Sequence, residues 1–139
     1  INGSIIDSKA RKFLREIGLD YPHGTGHGVG CFLNVHEGPQ AFSKNNKFEL
    51  KNGMIISNEP GYYRKGDFGI RIENLIFVNK KRFYELTLAP LDKDLIVKDI
   101  LTLKELNWIN KYHKTVQKKL LPYLRNNETT ALKNMCSPI

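Results

Sequence analysis

The sequence has little cysteine and no long hydrophobic run. Its two cysteines, Cys31 and Cys136, lie far apart and form no CxxC pair, so two reduced thiols are favoured over a disulfide. No apolar stretch approaches the roughly 20 residues that a membrane-spanning helix needs. The first residues lack the basic and apolar segments of a signal peptide, and the chain starts with Ile1 instead of methionine. We therefore expect a cytoplasmic protein whose natural chain begins further upstream.

The charge of the chain is basic but carries no nucleic-acid signature. With 139 residues, 40% of them hydrophobic and 26% charged, the composition is that of a soluble globular domain. Most of the net charge of +8 falls in residues 80–125, where lysines stand singly or in pairs. No aromatic–glycine motif of nucleic-acid-binding folds accompanies them. We predict a solvated surface that binds neither nucleic acid nor membrane; a nucleic-acid module would show a steeply salt-dependent affinity.

The order of helical and strand patterns predicts an α+β fold. Apolar residues at helical spacing predict a helix over Ile5–Ile17, ended by Gly18. A second helix begins at Thr102, whose spacing to Glu105 is that of a capping box. A short third helix is expected over Glu128–Met135. Between the helices, apolar runs separated by turn residues predict strands over Met54–Ser57, Ile70–Val78 and Phe83–Leu88.

Histidine and glycine are concentrated in one loop. Three of the four histidines lie within 14 positions, in the segments His23-Gly-Thr-Gly-His27-Gly-Val-Gly30 and Asn34-Val-His36-Glu-Gly-Pro39. Glycine lets a backbone pass close to an ion or substrate, and imidazole serves as a metal ligand, proton shuttle or hydrogen-bond donor near neutral pH. The alternative, a polar surface loop, gives no reason for so dense a cluster.

Two isolated carboxylates accompany the strands. Glu59 closes an apolar strand immediately before a Pro-Gly turn, a position from which it can face a cavity, although a surface glutamate at a turn is equally compatible. In Gly69-Ile-Arg71-Ile-Glu73-Asn, alternation places Arg71 and Glu73 on the same face of an apolar strand. Burying both is costly unless each finds a partner. They either form a structural ion pair, or Glu73 binds a cation while Arg71 orients a neighbouring carboxylate.

Together, these segments favour a divalent-metal site. Oxygen ligands with a little imidazole suit Mn²⁺, Co²⁺ or Zn²⁺ and do not suit a thiolate zinc site. Two such ions about 3.5–4 Å apart generate a nucleophile from water at neutral pH.

The four motifs, in their order and spacing, resemble aminopeptidase P, the Xaa-Pro aminopeptidase family. The resemblance extends over Leu106-Asn-Trp-Ile-Asn-Lys-Tyr-His113 and the closing Ser137-Pro138-Ile139, which are similar to the three-domain eukaryotic form. It implies that His27, Glu59 and Glu73 are metal ligands. It implies further that His23 and His36 steady the substrate and the tetrahedral intermediate, and that Glu59 handles a proton of the attacking hydroxide. Arg71 matches a motif position without a role that we can derive.

The resemblance also implies that the site is incomplete. The family supplies two aspartates and another histidine from an upstream half of its catalytic domain, and these motifs are absent here. Asp7 lies in the helix before the histidine loop and cannot replace them. The chain therefore resembles the second half of a pita-bread fold, with residues 1–100 as the metal-site half and 101–139 as a C-terminal helical extension.

The function implied is release of the N-terminal residue from peptides with proline in second position, using two divalent ions, most consistently Mn. We expect this chain alone to be inactive, and we expect the complete protein to be a homodimer. The alternative is a non-catalytic pita-bread domain that binds peptides or histones. His113 and Trp108, on the helix after Thr102, are expected to be packing residues.

Overall fold

The chain forms two compact units, Ile1–Thr87 and Leu88–Ile139. The structure is a computed structural model and describes residues 1–32 and 34–139. Within these described residues, the first unit holds one helix and seven short strands, and the second holds two helices with short 3₁₀ turns. The predicted α+β class is therefore confirmed, while the predicted division after residue 100 remains a prediction.

The elements of the first unit follow the sequence closely. Helix α1 spans Gly3–Glu16. The strands are β1 Gly26–His27, β2 Ala41–Phe42, β3 Ile55–Asn58, β4 Gly61–Arg64, β5 Phe68–Arg71, β6 Asn74–Asn79 and β7 Arg82–Glu85. They pair as three antiparallel sheets in the orders β1-β2, β3-β6-β7 and β4-β5. Phe42, Ile56, Ile76 and Val78 form the buried core between them.

Two predicted strands of the first unit have different bounds in the structure. The single strand predicted over Ile70–Val78 is two strands, β5 and β6, interrupted at Ile72–Glu73. The predicted strand Phe83–Leu88 ends at Glu85. The break follows from pairing, because β5 pairs with β4 and β6 pairs with β3, so Ile72–Glu73 lies where one ladder ends and the next begins.

Helix α1 buries polar residues more deeply than its apolar stripe, of which Ile6, Ala10 and Leu14 are half-buried. Gly3, Asp7 and Arg11 are its buried residues, while Phe13 and Ile17 are 73% and 69% exposed. The helix ends as predicted, since Gly18 takes a φ of +75°, a conformation that glycine adopts without strain.

The second unit contains α2 over Leu103–Leu120 and α3 over Asn126–Met135. The capping box is confirmed: the Glu105 backbone N–H donates to the Thr102 hydroxyl at 3.3 Å, and Glu105 Oε2 accepts from the Thr102 backbone N–H at 2.8 Å. Tyr112, Val116, Leu132 and Cys136 form the core of this unit. Burial raises the pKa of the Cys136 thiol, and both cysteines are free.

The prediction that His113 and Trp108 of α2 are packing residues is confirmed for His113 and only partly for Trp108. His113 is fully buried, and its Nε2 accepts a hydrogen bond from the Leu91 backbone N–H at 3.0 Å. Trp108 is 50% exposed and stacks on Tyr112 of its own helix, with ring centroids 5.7 Å apart. Among the helices of residues 1–32 and 34–139, none is both long and apolar enough to cross a membrane.

Candidate active site

The histidine loop runs beside strand β3 and so brings His27 close to Glu59. The Val29 N–H donates to Ile55 O at 3.1 Å, and the Glu59 N–H donates to Thr25 O at 2.8 Å. At Gly26 the two backbones are so close that a Cβ would lie 1.9 Å from Ser57 O. Only glycine permits this approach, which gives the Gly-rich motif a concrete structural purpose.

His27, His36 and Glu59 form the centre of the site. His27 Nε2 lies 3.2 Å from Glu59 Oε1, and the His27 and His36 rings are 4.0 Å apart between centroids. Ser57 supports both partners: its hydroxyl donates to Glu59 Oε1 at 2.9 Å and accepts from the His27 N–H at 2.9 Å. Glu59 is 8% exposed, so its carboxylate is held in a nearly dry environment with fixed partners.

His23 joins the same cleft through Tyr63 and Arg71. Arg71 Nε donates to the Tyr63 hydroxyl at 2.9 Å, and that hydroxyl lies 2.8 Å from His23 Nε2. Because the Gly24 carbonyl can only accept, His23 Nδ1 carries the ring proton and donates to Gly24 O at 2.7 Å. On the neutral ring, Nε2 then accepts the proton of the Tyr63 hydroxyl.

Arg71 also lies near the carboxylates of Glu59 and Glu73. The sequence alone did not predict this contact. Its Nη1 is 3.4 Å from Glu59 Oε2. The hydrogen bond to Tyr63 and the nearby charges of Glu59 and Glu73 raise the pKa of Arg71. Of the two alternatives for this strand, the geometry resembles the second, in which Arg71 orients a neighbouring carboxylate.

Glu73 lies outside this cleft, between strands β5 and β6. The ladders β3–β6 and β4–β5 share one register, which pairs Asn58 with Asn74 and Gly61 with Arg71. Continued through the interruption between the ladders, the same register matches position 59 to position 73, although neither residue belongs to a paired strand. Glu73 is exposed.

The cleft has a volume of about 320 Å³ and is lined by His23, Gly24, Gly26, His27, His36, Glu59 and Arg71. Thus the three predicted histidines and Glu59 come together, and Glu73 lies between β5 and β6. Ser57 and Tyr63 flank Glu59 in the sequence, but no role was predicted for either. The signal available for Tyr63 is that a strand arginine needs a hydrogen-bond partner.

The donor chemistry fits a divalent cation, but the number of donors does not suffice for two. In the part of the chain that the structure describes, no group of three or more His, Cys, Asp or Glu side chains is arranged to hold a metal. His27, Glu59 and Glu73 offer imidazole and carboxylate donors of the kind that Mn²⁺, Co²⁺ and Zn²⁺ accept. A two-ion site requires more carboxylate charge than these residues supply.

Family models cover the whole chain. The model for metallopeptidase family M24 matches residues 1–80, and the model for the C-terminal region of peptidase M24 matches residues 81–139. The chain belongs to metallopeptidase family M24.

Relatives within this family are proline-directed peptidases. The chain is 46% identical to Xaa-Pro aminopeptidase 1 of Dictyostelium discoideum over all of its own length and 25% of that protein. It superposes on X-prolyl aminopeptidase from Caenorhabditis elegans, described as a cytosolic enzyme with a di-nuclear active site, with a TM-score of 0.86, 39% identity and coverage of 100% of this chain and 25% of that one.

A more distant solved structure matches less of the chain. X-Pro aminopeptidase from Thermotoga maritima gives a TM-score of 0.59 at 41% identity and covers 65% of this chain and 25% of that protein. The structural neighbours are pita-bread M24 aminopeptidases and prolidases, which confirms the predicted fold family. The chain spans about a quarter of the length of each of these M24 relatives.

Proposed function

We propose that the complete protein containing this chain is a metal-dependent aminopeptidase that releases the N-terminal residue from peptides with proline in second position. The observation that carries this proposal is the cleft in which His27 and Glu59 meet His23 and His36. The matches to Xaa-Pro aminopeptidases support it. Nothing in these comparisons favours the alternative of a non-catalytic peptide- or histone-binding domain.

Three residues of this chain would hold metal. His27 offers Nε2, and Glu59 and Glu73 offer carboxylates. Two divalent ions, most consistently Mn²⁺ with Zn²⁺ or Co²⁺ also suitable, would supply Lewis acidity and a nucleophile derived from water at neutral pH. The remaining ligands, two aspartates and a histidine by resemblance to aminopeptidase P, would come from an upstream half.

The other groups of the cleft bind and orient the substrate. His36 faces the cleft beside His27 and can donate a hydrogen bond to a developing oxyanion. His23 Nε2 accepts from Tyr63 in the structure, so donation by Nε2 to a proline-side carbonyl requires a second proton on the imidazole. Glu59, 8% exposed and held by Ser57, accepts the proton released from water and can return it to the leaving amine.

Arg71 has a positioning part in this scheme. Its guanidinium fixes Glu59 Oε2 at 3.4 Å and orients the Tyr63 hydroxyl toward His23. Arg71 thus fixes the positions of both Glu59 and His23 relative to each other.

We further propose a cytoplasmic location and a homodimeric assembly. The location is supported by the cytosolic C. elegans relative. The assembly is suggested by the aminopeptidase P resemblance and is compatible with the half-exposed Trp108 on α2.

The test uses the complete protein, stripped of metal and reloaded with Mn²⁺, Zn²⁺ or Co²⁺. Two tripeptides that differ only in the second residue, proline or alanine, are compared by the rate of N-terminal residue release. We expect metal-dependent cleavage of the proline peptide and little of the alanine control. Absence of cleavage with all three ions would refute the proposed activity.

A further inference from the structure

A buried polar network links helix α1 to the histidine loop. Asp7 and Arg11 are 2% and 6% exposed, and Thr25 is fully buried. Arg11 Nε donates to both carboxylate oxygens of Asp7, at 2.9 and 3.0 Å. Removing two charges from water costs several kcal/mol per ion unless pairing and hydrogen bonds compensate. A helix with apolar residues available for burial, such as Phe13, would not bury this pair for packing alone.

The remaining nitrogens of Arg11 hold the backbone that leads into His23. Nη1 donates to Asp20 Oδ1 at 2.6 Å and to Tyr21 O at 2.8 Å, and Nη2 donates to His23 O. The guanidinium lies 3.9 Å from the centroid of the Tyr21 ring. Burial opposes the charge of Arg11, but the hydrogen bonds to Asp20 and Asp7 outweigh burial and raise its pKa.

Thr25 connects this network to the cleft. Its backbone N–H and its hydroxyl both donate to Asp7 Oδ1, at 3.2 and 2.7 Å. Because the single hydroxyl proton of Thr25 is used there, the Tyr21 hydroxyl donates to Thr25 Oγ1. The carbonyl oxygen of Thr25 accepts from the Glu59 N–H at 2.8 Å. One buried residue is therefore bonded to the helix on one side and to the strand that carries Glu59 on the other.

We propose that Asp7, Arg11 and Thr25 are positioning residues that set the distance between the histidines and Glu59. None of the three lines the cleft, so they act through the backbone of residues 21–29 and through Glu59. Arg11 fixes the His23 carbonyl, while Asp7 fixes Thr25. Thr25 lies two residues before His27, and its carbonyl accepts a hydrogen bond from the Glu59 N–H. The effect on catalysis rests on the proposed aminopeptidase function; the effect on loop geometry does not.

The test compares Thr25→Val, which keeps the shape but removes the hydroxyl, with Thr25→Ser, which keeps the hydroxyl. Both are made in the complete protein, and the matched control is Glu16→Gln, which breaks an exposed ion pair with Lys12 on the same helix, 3.7 Å between Nζ and Oε1. Kinetics are measured well below the melting temperature of every variant. Hydrogen–deuterium exchange is followed in residues 21–29 and 55–59, with α2 as an internal reference.

We expect Thr25→Val to lower kcat on the order of 100-fold with KM nearly unchanged, since a misplacement of about 1 Å has that effect. Exchange should accelerate in residues 21–29 and 55–59, and Thr25→Ser should restore both properties. An unchanged kcat, or equal acceleration throughout residues 1–87, would overturn the proposal, because the network would then stabilise the fold without positioning the site. If Thr25→Val does not fold, Asp7→Asn serves in its place with the same expected results.

The experiment distinguishes failure of the proposed aminopeptidase function from failure of the positioning proposal. If the wild-type complete protein cleaves no peptide, exchange alone decides. Acceleration confined to residues 21–29 and 55–59 supports positioning of the loop, whereas unchanged or uniform exchange overturns it.

Discussion

Glu73 and His23 allow metal binding and catalysis to be separated at single positions. In the complete protein, Glu73→Gln keeps the side-chain shape but removes one negative charge. We expect loss of one bound ion and of metal-dependent turnover, measured by metal content after dialysis and by peptide cleavage. Unchanged metal content and activity would contradict the assignment of Glu73 as a ligand.

His23→Ala is the matched comparison for this prediction. His23 lies in the cleft and hydrogen-bonds to Tyr63 and Gly24, and among the described residues no hydrogen bond or ion pair joins it to Glu59 or Glu73. We expect metal content to stay at the wild-type value while the rate falls by a factor of about 100 to 1,000, the usual cost of removing one hydrogen-bond donor to the transition state.

The residues of the cleft were largely predictable, and the residues behind it were not. His23, His27 and His36 are close in sequence, so a short loop brings them together whatever surrounds it. The relative positions of Glu59 and Glu73 depend on a register that is settled by pairing over four strands, which no local pattern specifies. Asp7 and Arg11 lie outside the apolar positions from which helix α1 was predicted, and only the tertiary partners Asp20 and Thr25 explain why both are buried.

Helix α2 carries a buried histidine whose protonation should control the stability of the second unit. Burial, and then the charge of Lys93, lower the pKa of His113. Its Nε2 accepts from Leu91 N–H, and its Nδ1 has no hydrogen-bond partner among the described residues. Because the unfolded chain then binds a proton more readily than the folded one, stability is fully present above the ordinary histidine pKa of about 6.5. It is lost as pH falls from there through the lower pKa of the folded state.

The check is urea unfolding of the 139-residue chain between pH 5 and pH 8, followed by fluorescence of Trp108, its only tryptophan. We expect the unfolding midpoint to fall with pH. His113→Gln keeps an acceptor for Leu91 without a titrating group and should remove most of that dependence. Equal pH dependence in both proteins would show that other groups are responsible.

Helix ends were predicted best where a residue in the sequence caps the helix. The capping box at Thr102 and the glycine after α1 were correctly located because each satisfies backbone groups locally. The interruption at Ile72–Glu73 was missed because both residues fit a strand pattern, and the division arises from which neighbour each half pairs with.

At the scale of the whole molecule, we propose that this chain contributes one side of a divided metal site. Two divalent ions carry four positive charges, and Glu59 with Glu73 supplies only two negative ones. We expect the 139-residue chain to bind at most one Mn²⁺ ion, weakly, and to have negligible peptidase activity. Calorimetric titration with Mn²⁺, on this chain and on the complete protein, measures the number of ions bound by each.

Either result of that titration is informative. Two ions in the complete protein and at most one in the fragment would support the divided site. Two tightly bound ions, or cleavage at enzyme rates, in the fragment alone would contradict it. Exposed apolar side chains on and beside the β4–β5 ribbon also favour association of the isolated chain, since Phe68 and Ile70 of β5 are 43% and 45% exposed and the following Ile72 is 49% exposed.

The shared register of the two ladders has a practical consequence for protein engineering. The four pairs of the β4–β5 ladder, from Gly61–Arg71 to Arg64–Phe68, and the Pro60–Ile72 position beyond them separate Glu59 and Glu73 from the turn at Lys65–Asp67. The turn is exposed, and exposed turns are where insertions are best tolerated. A short peptide tag or a fluorophore site can be introduced between Lys65 and Gly66 while the four pairs keep the carboxylates aligned. Such a label would report on the ribbon from within the folded protein without altering the cleft.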